Sequence, residues 1–253
     1  MVRGLYTSAI GMHASMQRMD VITNNIANIN TNAYRRDHVV SHAFTERFLH
    51  RLHDPDFRTL GLLNPVIVGR VSPGLFVDEI FTDWSQGSMQ RTDGPLDLAI
   101  MGQGFFVVMA GDEELFTRDG AFTLAHGALL TSCGGRVQGL NGDIVLPNGE
   151  IAIGDDGRIF VNGEYADTLR LASFTDPNSL RKLENNFFRA TAESVPAAFG
   201  GSVQQGFLEG SNFNIVSEMV QMINLTRAYE TNARMVTMQD QTLQQAVNDI
   251  ARR

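Results

Sequence analysis

The sequence predicts an α+β fold with N- and C-terminal helices paired as an antiparallel coiled coil and a central antiparallel β-rich domain. The first observation is the placement of helix-breaking residues: no proline occurs before Pro55 or after Pro196, and 18 of the 24 glycines lie between residues 61 and 163. Proline and glycine destabilise helix interiors and favour turns. The second observation is a repeat of apolar residues in steps of three and four at both ends of the chain. With 43% hydrophobic and 19% charged residues, the chain has the composition of an ordered globular protein.

The two terminal helices are predicted by the a/d spacing of a coiled-coil seam. The N-terminal seam consists of Leu5, Ala9, Met12, Met16, Met19, Thr23 and Ile26. The C-terminal seam consists of Ile215, Met219, Met222, Thr226, Tyr229, Ala233, Val236, Asp240, Leu243, Val247 and Ile250. The simplest arrangement packs the two seams on each other, although they can equally pack on other copies of the chain or, as plain amphipathic helices, cover a core. Because the seams are rich in Met and Ala, we expect the helices to be ordered mainly in an assembly.

The centre of the chain has the pattern of short strands joined by tight turns. Five segments are apolar or alternating and are bounded by turn residues: LDLAI (96–100), FFVVM (105–109), DIVLP (143–147), RIFVN (158–162) and TLRLASF (168–174). Four dipeptides suited to positive φ favour hairpins: Asn141-Gly142, Asn148-Gly149, Asp156-Gly157 and Asn162-Gly163. No helical pattern separates the strands, so we expect antiparallel pairing.

These patterns divide the chain into three predicted parts. Residues 1–34 and 214–253 form the terminal helical (coiled-coil) domain, residues 35–90 and 195–213 a linker or intermediate region, and residues 91–194 the β-rich domain.

Charge and composition exclude several classes of partner. Residues 61–210 carry 9 Lys and Arg against 19 Asp and Glu, so the central region lacks the basic stripe that nucleic acid or an anionic membrane surface requires. No apolar run reaches the roughly 18 residues of a membrane span, and the N-terminus lacks a signal-peptide pattern. We therefore expect that the protein does not bind nucleic acid and does not insert into a membrane. If it is exported, we expect a route that does not use an N-terminal signal peptide. The single cysteine, Cys133, cannot form an internal disulfide and is expected to be a buried, inert thiol.

The sequence contains no convincing catalytic motif. A phosphate-binding loop, a nucleophile elbow and a metalloprotease His-Glu helix are all missing from it. The best metal candidate is a group of histidines with helical spacing: His38, His42, His50 and His53. Four arginines lie among them, at positions 35, 36, 47 and 51, and disfavour a bound cation. We expect no enzymatic activity and no catalytic, cofactor or metal residues; a hydrolase using the histidine group is kept as a rival function.

Three sets of residues, at the two ends and in the centre of the chain, form recognisable motifs. The N-terminal GLYTSAIGM and NNIANINTNAY resemble the amino-terminal motif of flagellar rod and hook proteins. The C-terminal LEGSNFNIVSEMVQMINLTRAYETNARMVTMQDQTLQQAV is similar to their carboxy-terminal motif. In the centre, LDLAIMGQGFF and FTRDGAF resemble the β domain of basal-body rod subunits. The chain is thereby identified as a member of the flagellar basal-body rod family.

The resemblance implies a structural subunit that polymerises into the hollow axial shaft of the basal body, in the periplasm or cell-wall zone. Such a shaft transmits torque to the hook and passes exported subunits. The implied partners are copies of the chain, other flagellar rod and hook proteins, and the type III flagellar export apparatus. The proximal or distal subtype is left open. The alternative function is a secreted β-domain binding protein or adhesin without an axial role.

The asparagine-rich run TNNIANINTNAY, residues 23–34, suggests a role in assembly. On a helix its amides form a polar stripe beside isoleucines, and each amide can donate and accept, so copies of the chain can form a ladder of hydrogen bonds between them. Local helix capping is the alternative for this run, and Ser211, Asn212 and Asn214 are predicted to cap the C-terminal helix with Glu218 in its first turn. The predicted assembly residues are Leu5, Met12, Met16, Met19, Asn25, Ile26, Asn28, Asn32, Met219, Met222, Tyr229, Val236, Leu243 and Val247.

Overall fold

A computed structural model describes residues 2–51, 66–72 and 74–251. The chain forms two compact units, the first from residues 1–24, 38–81 and 216–253 and the second from residues 25–37 and 82–215. Helix α1 spans Val2–Ala27 and helix α2 spans Ile215–Ala251. Between them the structure is made of antiparallel strands. The α+β prediction, with a helix at each end and a β-rich centre, is confirmed.

In the first unit the two helices touch at several levels. Gly4 of α1 lies against the side-chain amide of Gln239, and a methyl group on Gly11 would lie 2.9 Å from the amide nitrogen of Asn232. Further along, the hydroxyl oxygen of Thr226 lies 3.8 Å from the sulfur of Met19. Residue numbers rise along α1 as they fall along α2, so the helices run antiparallel. Glycine costs about 1 kcal/mol inside a helix relative to alanine, and at these two positions it allows close approach of the partner helix.

The less exposed stripe of α2 keeps six of the eleven predicted seam residues: Ile215, Met222, Tyr229, Ala233, Val236 and Leu243. The other five are exposed: Met219, Thr226, Asp240, Val247 and Ile250. The stripe also contains Leu225, Asn232 and Gln239, each of which lies one position before a predicted seam residue. The direction in which a residue points from the helix decides whether it faces α1, and hydrophobicity alone does not. Two polar amides, Asn232 and Gln239, therefore lie on the stripe beside the glycines of α1.

The first unit also contains two β-ribbons. Strand β1 (Asp37–Ala43) belongs with β4 (Leu75–Thr82), and β2 (Arg47–Arg51) pairs antiparallel with β3 (Val66–Val71). A residue range that the sequence suggested as linker therefore contains regular strands.

His53 of the predicted histidine group lies outside the described residues, and the His42 imidazole is 3.5 Å from the carboxylate of Asp78 at the surface. Within the described part of the chain, His, Cys, Asp and Glu nowhere form a group of three or more that could hold a metal ion.

The second unit is built on antiparallel sheets. Its strands are β5 (Met89–Arg91), β6 (Leu98–Met101), β7 (Phe105–Ala110), β8 (Glu113–Thr117), β9 (Phe122–Ala125), β10 (Ala128–Thr131), β11 (Arg136–Gly139), β12 (Gly142–Asp143), β13 (Ile151–Ile153), β14 (Arg158–Val161), β15 (Glu164–Thr168), β16 (Leu171–Phe174), β17 (Leu180–Lys182), β18 (Phe187–Ala190), β19 (Pro196–Ala197), β20 (Ser202–Gln205) and β21 (Phe207–Glu209). The main sheet has the order β17-β18-β8-β7-β11-β10-β9, with β12 on β11 and with β16 on β7 and β19. A three-stranded sheet, β13-β14-β15, and the pairs β20-β6 and β21-β5 complete the unit.

Two apolar clusters form the core of the second unit. The larger contains Leu98, Ile100, Phe106, Val108, Leu115, Phe122, Leu129, Val137, Ile144, Leu146, Ile153, Ile159, Val161, Leu169, Phe187 and Val203. The smaller contains Phe105, Val107, Phe116, Phe174, Leu180 and Phe188, and Trp84 packs against it. Successive residues of β7 alternate between the two clusters because side chains of a strand point to opposite faces. This explains why FFVVM is apolar throughout.

Three of the four predicted turn dipeptides lie in hairpins. Asn141-Gly142 links β11 to β12, Asp156-Gly157 links β13 to β14, and Asn162-Gly163 links β14 to β15. Each glycine has a positive φ, between 81° and 114°. Asn148-Gly149 differs because the flanking strands β12 and β13 belong to different sheets.

Two other predictions concern burial. Cys133 is exposed on the turn between β10 and β11, so the prediction of a buried thiol was wrong. Its neighbours explain this, because the Ser132-Cys133-Gly134-Gly135 run reverses the chain at the surface. Neither of the two described helices is long and apolar enough to cross a membrane.

Candidate functional site

An exposed apolar face lies at the start of α2. It consists of Val216, Met219, Val220 and Ile223, which are 66%, 50%, 52% and 52% exposed. Their spacing of three, four and seven residues places them on one side of the helix, opposite the stripe that contains Met222 and Tyr229. We call these four residues the outer ridge. Helix α2 is thus apolar on two opposite sides here, and the exposed side is typical of an interaction surface.

The predicted assembly residues of α1 differ in exposure. Met16 is exposed, Leu5, Met12, Met19 and Ile26 are half-buried, and the fully buried positions of this helix include Ser8, Ala14, Ser15 and Ile22. Of the α2 residues, Met219 and Val247 are exposed, whereas Met222, Tyr229, Val236 and Leu243 are half-buried. The structure therefore separates the predicted set into residues on the stripe between the helices and residues on the surface.

A groove of about 260 Å³ lies beside α1 in the first unit. Residues of α1, β4 and the end of β1 line it: Tyr6, Ile10, His13, Ala14, Gln17, Phe44, Leu75, Phe76 and Val77. The Phe44 and Phe76 ring centroids are 5.1 Å apart. Sequence reasoning missed this groove because it is formed by strands within the range that was predicted to be a linker.

Asn25 has its hydrogen-bonding groups engaged within the chain. Its side chain is 1% exposed, and its amide nitrogen donates to the backbone oxygen of Asp37 at 2.9 Å. Its amide oxygen accepts from the backbone nitrogen of Asp37 at 3.1 Å and from the Tyr34 hydroxyl at 3.2 Å. Asn28 accepts from the Thr31 hydroxyl at 3.2 Å. These contacts favour a role within the chain for Asn25, whose amide connects the end of α1 to the segment that follows it. The ladder between copies stays a prediction.

A buried ion cluster lies next to this connection. One oxygen of Glu209 is 2.8 Å from the guanidinium of Arg35, and the other is 3.1 Å from the guanidinium of Arg118. The side chains of Glu209 and Arg35 are 0% exposed, and that of Arg118 is 6% exposed. The first oxygen also accepts from the backbone nitrogen of Gly87. Arg118 donates further to the carbonyl oxygens of Ile100 and Gly102. Burial lowers the pKa of Arg118 to about 10 although Glu209 opposes this effect.

Lys182 of β17 reaches the same segment. Its ammonium group donates to the backbone oxygen of Arg35 at 2.7 Å and to the carboxylate of Asp37 at 2.8 Å, and lies 4.1 Å from the ring centroid of Tyr34. Burial lowers the pKa of Lys182, against the effect of Asp37. Burial, and then the charge of Asp37, raise the pKa of Tyr34.

Asn212 joins the segment from the C-terminal side. It accepts from the backbone nitrogen of Arg36 at 2.9 Å and donates to the carbonyl oxygens of Asp83 and Ser85. The prediction that Asn212 caps α2 was therefore wrong, because its side chain binds residues distant in sequence, whereas Glu218 does lie in the first turn of α2.

We call this set the polar clasp: Asn25, Tyr34, Arg35, Asp37, Arg118, Lys182, Glu209 and Asn212. It holds residues 25–37 beside the strand β21 and offers no chemistry beyond ion pairing and hydrogen bonding. The sequence signal is a charged residue in or directly beside each recognised motif: Arg35 follows NNIANINTNAY, Arg118 lies in FTRDGAF and Glu209 lies in LEGSN. No single motif reveals which charges meet.

Three family models match the chain. They are described as flagella basal body rod protein (residues 5–35), flagellar hook protein FlgE/F/G D1 domain (residues 99–161) and flagellar basal body rod FlgEFG protein C-terminal (residues 204–249). Each matched range contributes residues to the polar clasp.

Individual relatives match over nearly their full length. The flagellar basal-body rod protein FlgG of Bacillus subtilis is 31% identical, over 98% of this chain and 99% of that protein. FlgG of Agrobacterium fabrum is 33% identical, over 95% and 96% of the two chains. FlgF of Rhizobium meliloti is 31% identical, over 99% and 98%. These similarities show that the chain belongs to the family of flagellar basal-body rod proteins.

Proposed function

We propose that this chain polymerises with copies of itself and with other rod and hook proteins into the hollow axial shaft of the flagellar basal body, which transmits torque to the hook and passes exported subunits. Membership of the family makes the chain a structural, non-enzymatic component of the basal body. The comparisons give no support to a secreted β-domain binding protein or adhesin.

The outer ridge is the observation that carries this proposal. Its four apolar residues are half exposed or more on the side of α2 away from its less exposed stripe. A helix that is apolar on two opposite sides gains stability when both sides are covered. In the shaft, neighbouring subunits cover the outer ridge, which is the exposed apolar side of α2. Because one such contact is small, several contacts made at once hold each subunit in the polymer.

The terminal helices are the proposed assembly domain, paired as an antiparallel coiled coil. The contacts of Gly4 with Gln239 and of Met19 with Thr226 support this pairing. In this proposal the half-buried Leu5, Met12, Met19, Met222, Tyr229, Val236 and Leu243 lie at the seam of the pair. Met16, Met219 and Val247 face neighbouring subunits, and Ile26, Asn28 and Asn32 lie near the subunit boundary. The flagellar export apparatus is the proposed route to the shaft.

The test uses Val220→Asp in the outer ridge and Leu140→Asp as matched control. Both side chains are apolar and more than half exposed, but Leu140 lies on a β-turn of the second unit. Both variants should retain the circular dichroism of the wild-type monomer. In a strain lacking the gene, we expect Leu140→Asp to restore swimming and Val220→Asp to leave rods incomplete.

Two readouts separate the outcomes. Val220→Asp protein that leaves the cell without entering basal bodies supports a defect in assembly after export. Normal swimming and normal basal bodies with Val220→Asp would overturn the assembly role of the outer ridge.

A further inference from the structure

We propose that Glu209 is a lock: within the second unit, residues 25–37 dock on the strands only when β21 is in place and holds the Glu209 carboxylate between Arg35 and Arg118. Without the Glu209 carboxylate, docking would bring the Arg35 and Arg118 guanidinium groups together with no counter-charge. This inference concerns the order of folding within one subunit and is independent of the proposed assembly.

The charge balance of the cluster supports the lock. Glu209 divides its two oxygens between the two guanidinium groups, at 2.8 Å from Arg35 and 3.1 Å from Arg118. All three side chains are buried, so water cannot screen the like charges. Consistent with this, the positive charge of Arg35 disfavours the charged form of Arg118, whereas Glu209 favours it. Removing one carboxylate would change the formal charge of the cluster from +1 to +2.

The apolar core does not need the docked segment. Every residue of the larger core cluster lies between Leu98 and Val203, so residues 25–37 contribute nothing to it. Many of its strands are joined by short hairpins, which close at low entropic cost, although Val203 pairs with Ile100 from a distant part of the chain.

The docked segment, in contrast, depends on a distant part of the chain. The backbone nitrogen of Ala33 donates to the Glu209 carbonyl at 2.7 Å, and Arg36 binds Asn212, which is 176 residues away in sequence. Closing so long a loop carries an entropic cost that these contacts must offset. Glu209 supplies both a backbone acceptor and the counter-charge, so the backbone contact and the charge neutralisation arrive together.

The experiment is native-state hydrogen exchange of the full-length protein. In Glu209→Gln, we expect the amide of Ala33 to lose roughly 100-fold or more of its protection because a buried pair is broken. Amides of β7 such as Val107 and Val108 should stay within about threefold of wild type. The matched control is Glu114→Gln, which breaks an exposed ion pair with Arg170 and should leave the Ala33 amide unchanged.

A second variant tests the role of charge. Arg35→Met/Glu209→Gln returns the cluster to a formal charge of +1 while removing further hydrogen bonds. If repulsion blocks docking, this double variant regains at least tenfold of the Ala33 protection that Glu209→Gln loses. Failure to regain it would refute the electrostatic lock. Wild-type protection of Ala33 in Glu209→Gln, or an equal loss of protection at Val107 and Val108, would likewise overturn the proposal.

Discussion

Replacing Asn25 with alanine tests whether this asparagine stabilises the single subunit. The substitution removes both side-chain groups that bind Asp37 and Tyr34. It removes one hydrogen-bond partner each from the backbone nitrogen of Asp37, the backbone oxygen of Asp37 and the hydroxyl of Tyr34. Since Asn25 is 1% exposed, its removal does not simply open these groups to water.

The expected loss can be worked from those three contacts. A buried polar group left unsatisfied costs about 1–3 kcal/mol, and the half-buried Asp37 recovers part of this by binding water. We therefore expect Asn25→Ala to lower the free energy of unfolding by about 2–5 kcal/mol. With a typical denaturant dependence, this moves the urea midpoint down by about 1–2 M.

The assay is urea unfolding of the dilute monomer followed by tryptophan fluorescence. Trp84 is the sole tryptophan of the chain and belongs, like Asn25, to the second unit. Its indole packs between Phe105 and Phe188 and donates to the side chain of Asn178, so its emission reports on this unit. Asn30→Ala is the matched control, since Asn30 is exposed in the same asparagine-rich run.

The result that would refute the reasoning is an Asn25→Ala midpoint within about 0.3 M of wild type. An equal loss in Asn30→Ala would also refute it, because the effect would then belong to the run as a whole. A defect that appears only in polymerisation, with normal monomer stability, would return Asn25 to the ladder between copies.

Three further substitutions test other parts of the second unit by the same urea assay. Phe106→Ala should destabilise by about 3–5 kcal/mol because Phe106 is fully buried against Phe122, whereas Val145→Ala at an exposed site should change little; similar effects of the two would contradict the assigned core. Lys182→Met should cost about 1–3 kcal/mol through loss of two hydrogen bonds and the contact with the Tyr34 ring, with exposed Arg181→Met near neutral. Burial raises the pKa of Asp119 above its ordinary value of 3.8. Between these two pKa values the folded state keeps a proton that the unfolded state has released. The stability of the wild-type protein therefore falls as the pH rises through this range. The stability of Asp119→Asn relative to wild type should therefore increase between pH 3 and pH 7, and a difference independent of pH would contradict the burial of a titrating carboxyl group.

The sequence by itself determined the fold class and most of the turns. Helices at both ends and strands between them follow from the positions of proline and glycine and from local periodicity, which act over a few residues. Three of the four turn dipeptides lie in hairpins for the same reason: a preference for positive φ is a property of the residue. The flagellar resemblance likewise rested on contiguous motifs, and the comparisons confirm it.

Only the tertiary structure decided which residues meet. Asn148-Gly149 makes no hairpin because its flanking strands pair in different sheets. The less exposed stripe of α2 keeps only part of the predicted seam, and residues such as Leu225 and Gln239 lie on it instead of their neighbours. Asn25 carries the amide that a hydrogen-bonded ladder between copies of the chain would need, yet this amide binds Asp37 within the chain. Arg35, Arg118 and Glu209 lie in or directly beside three separate motifs, and their ion cluster arises only when those motifs are folded together. Local preferences set the elements, whereas burial and charge pairing depend on neighbours that can be 176 residues away.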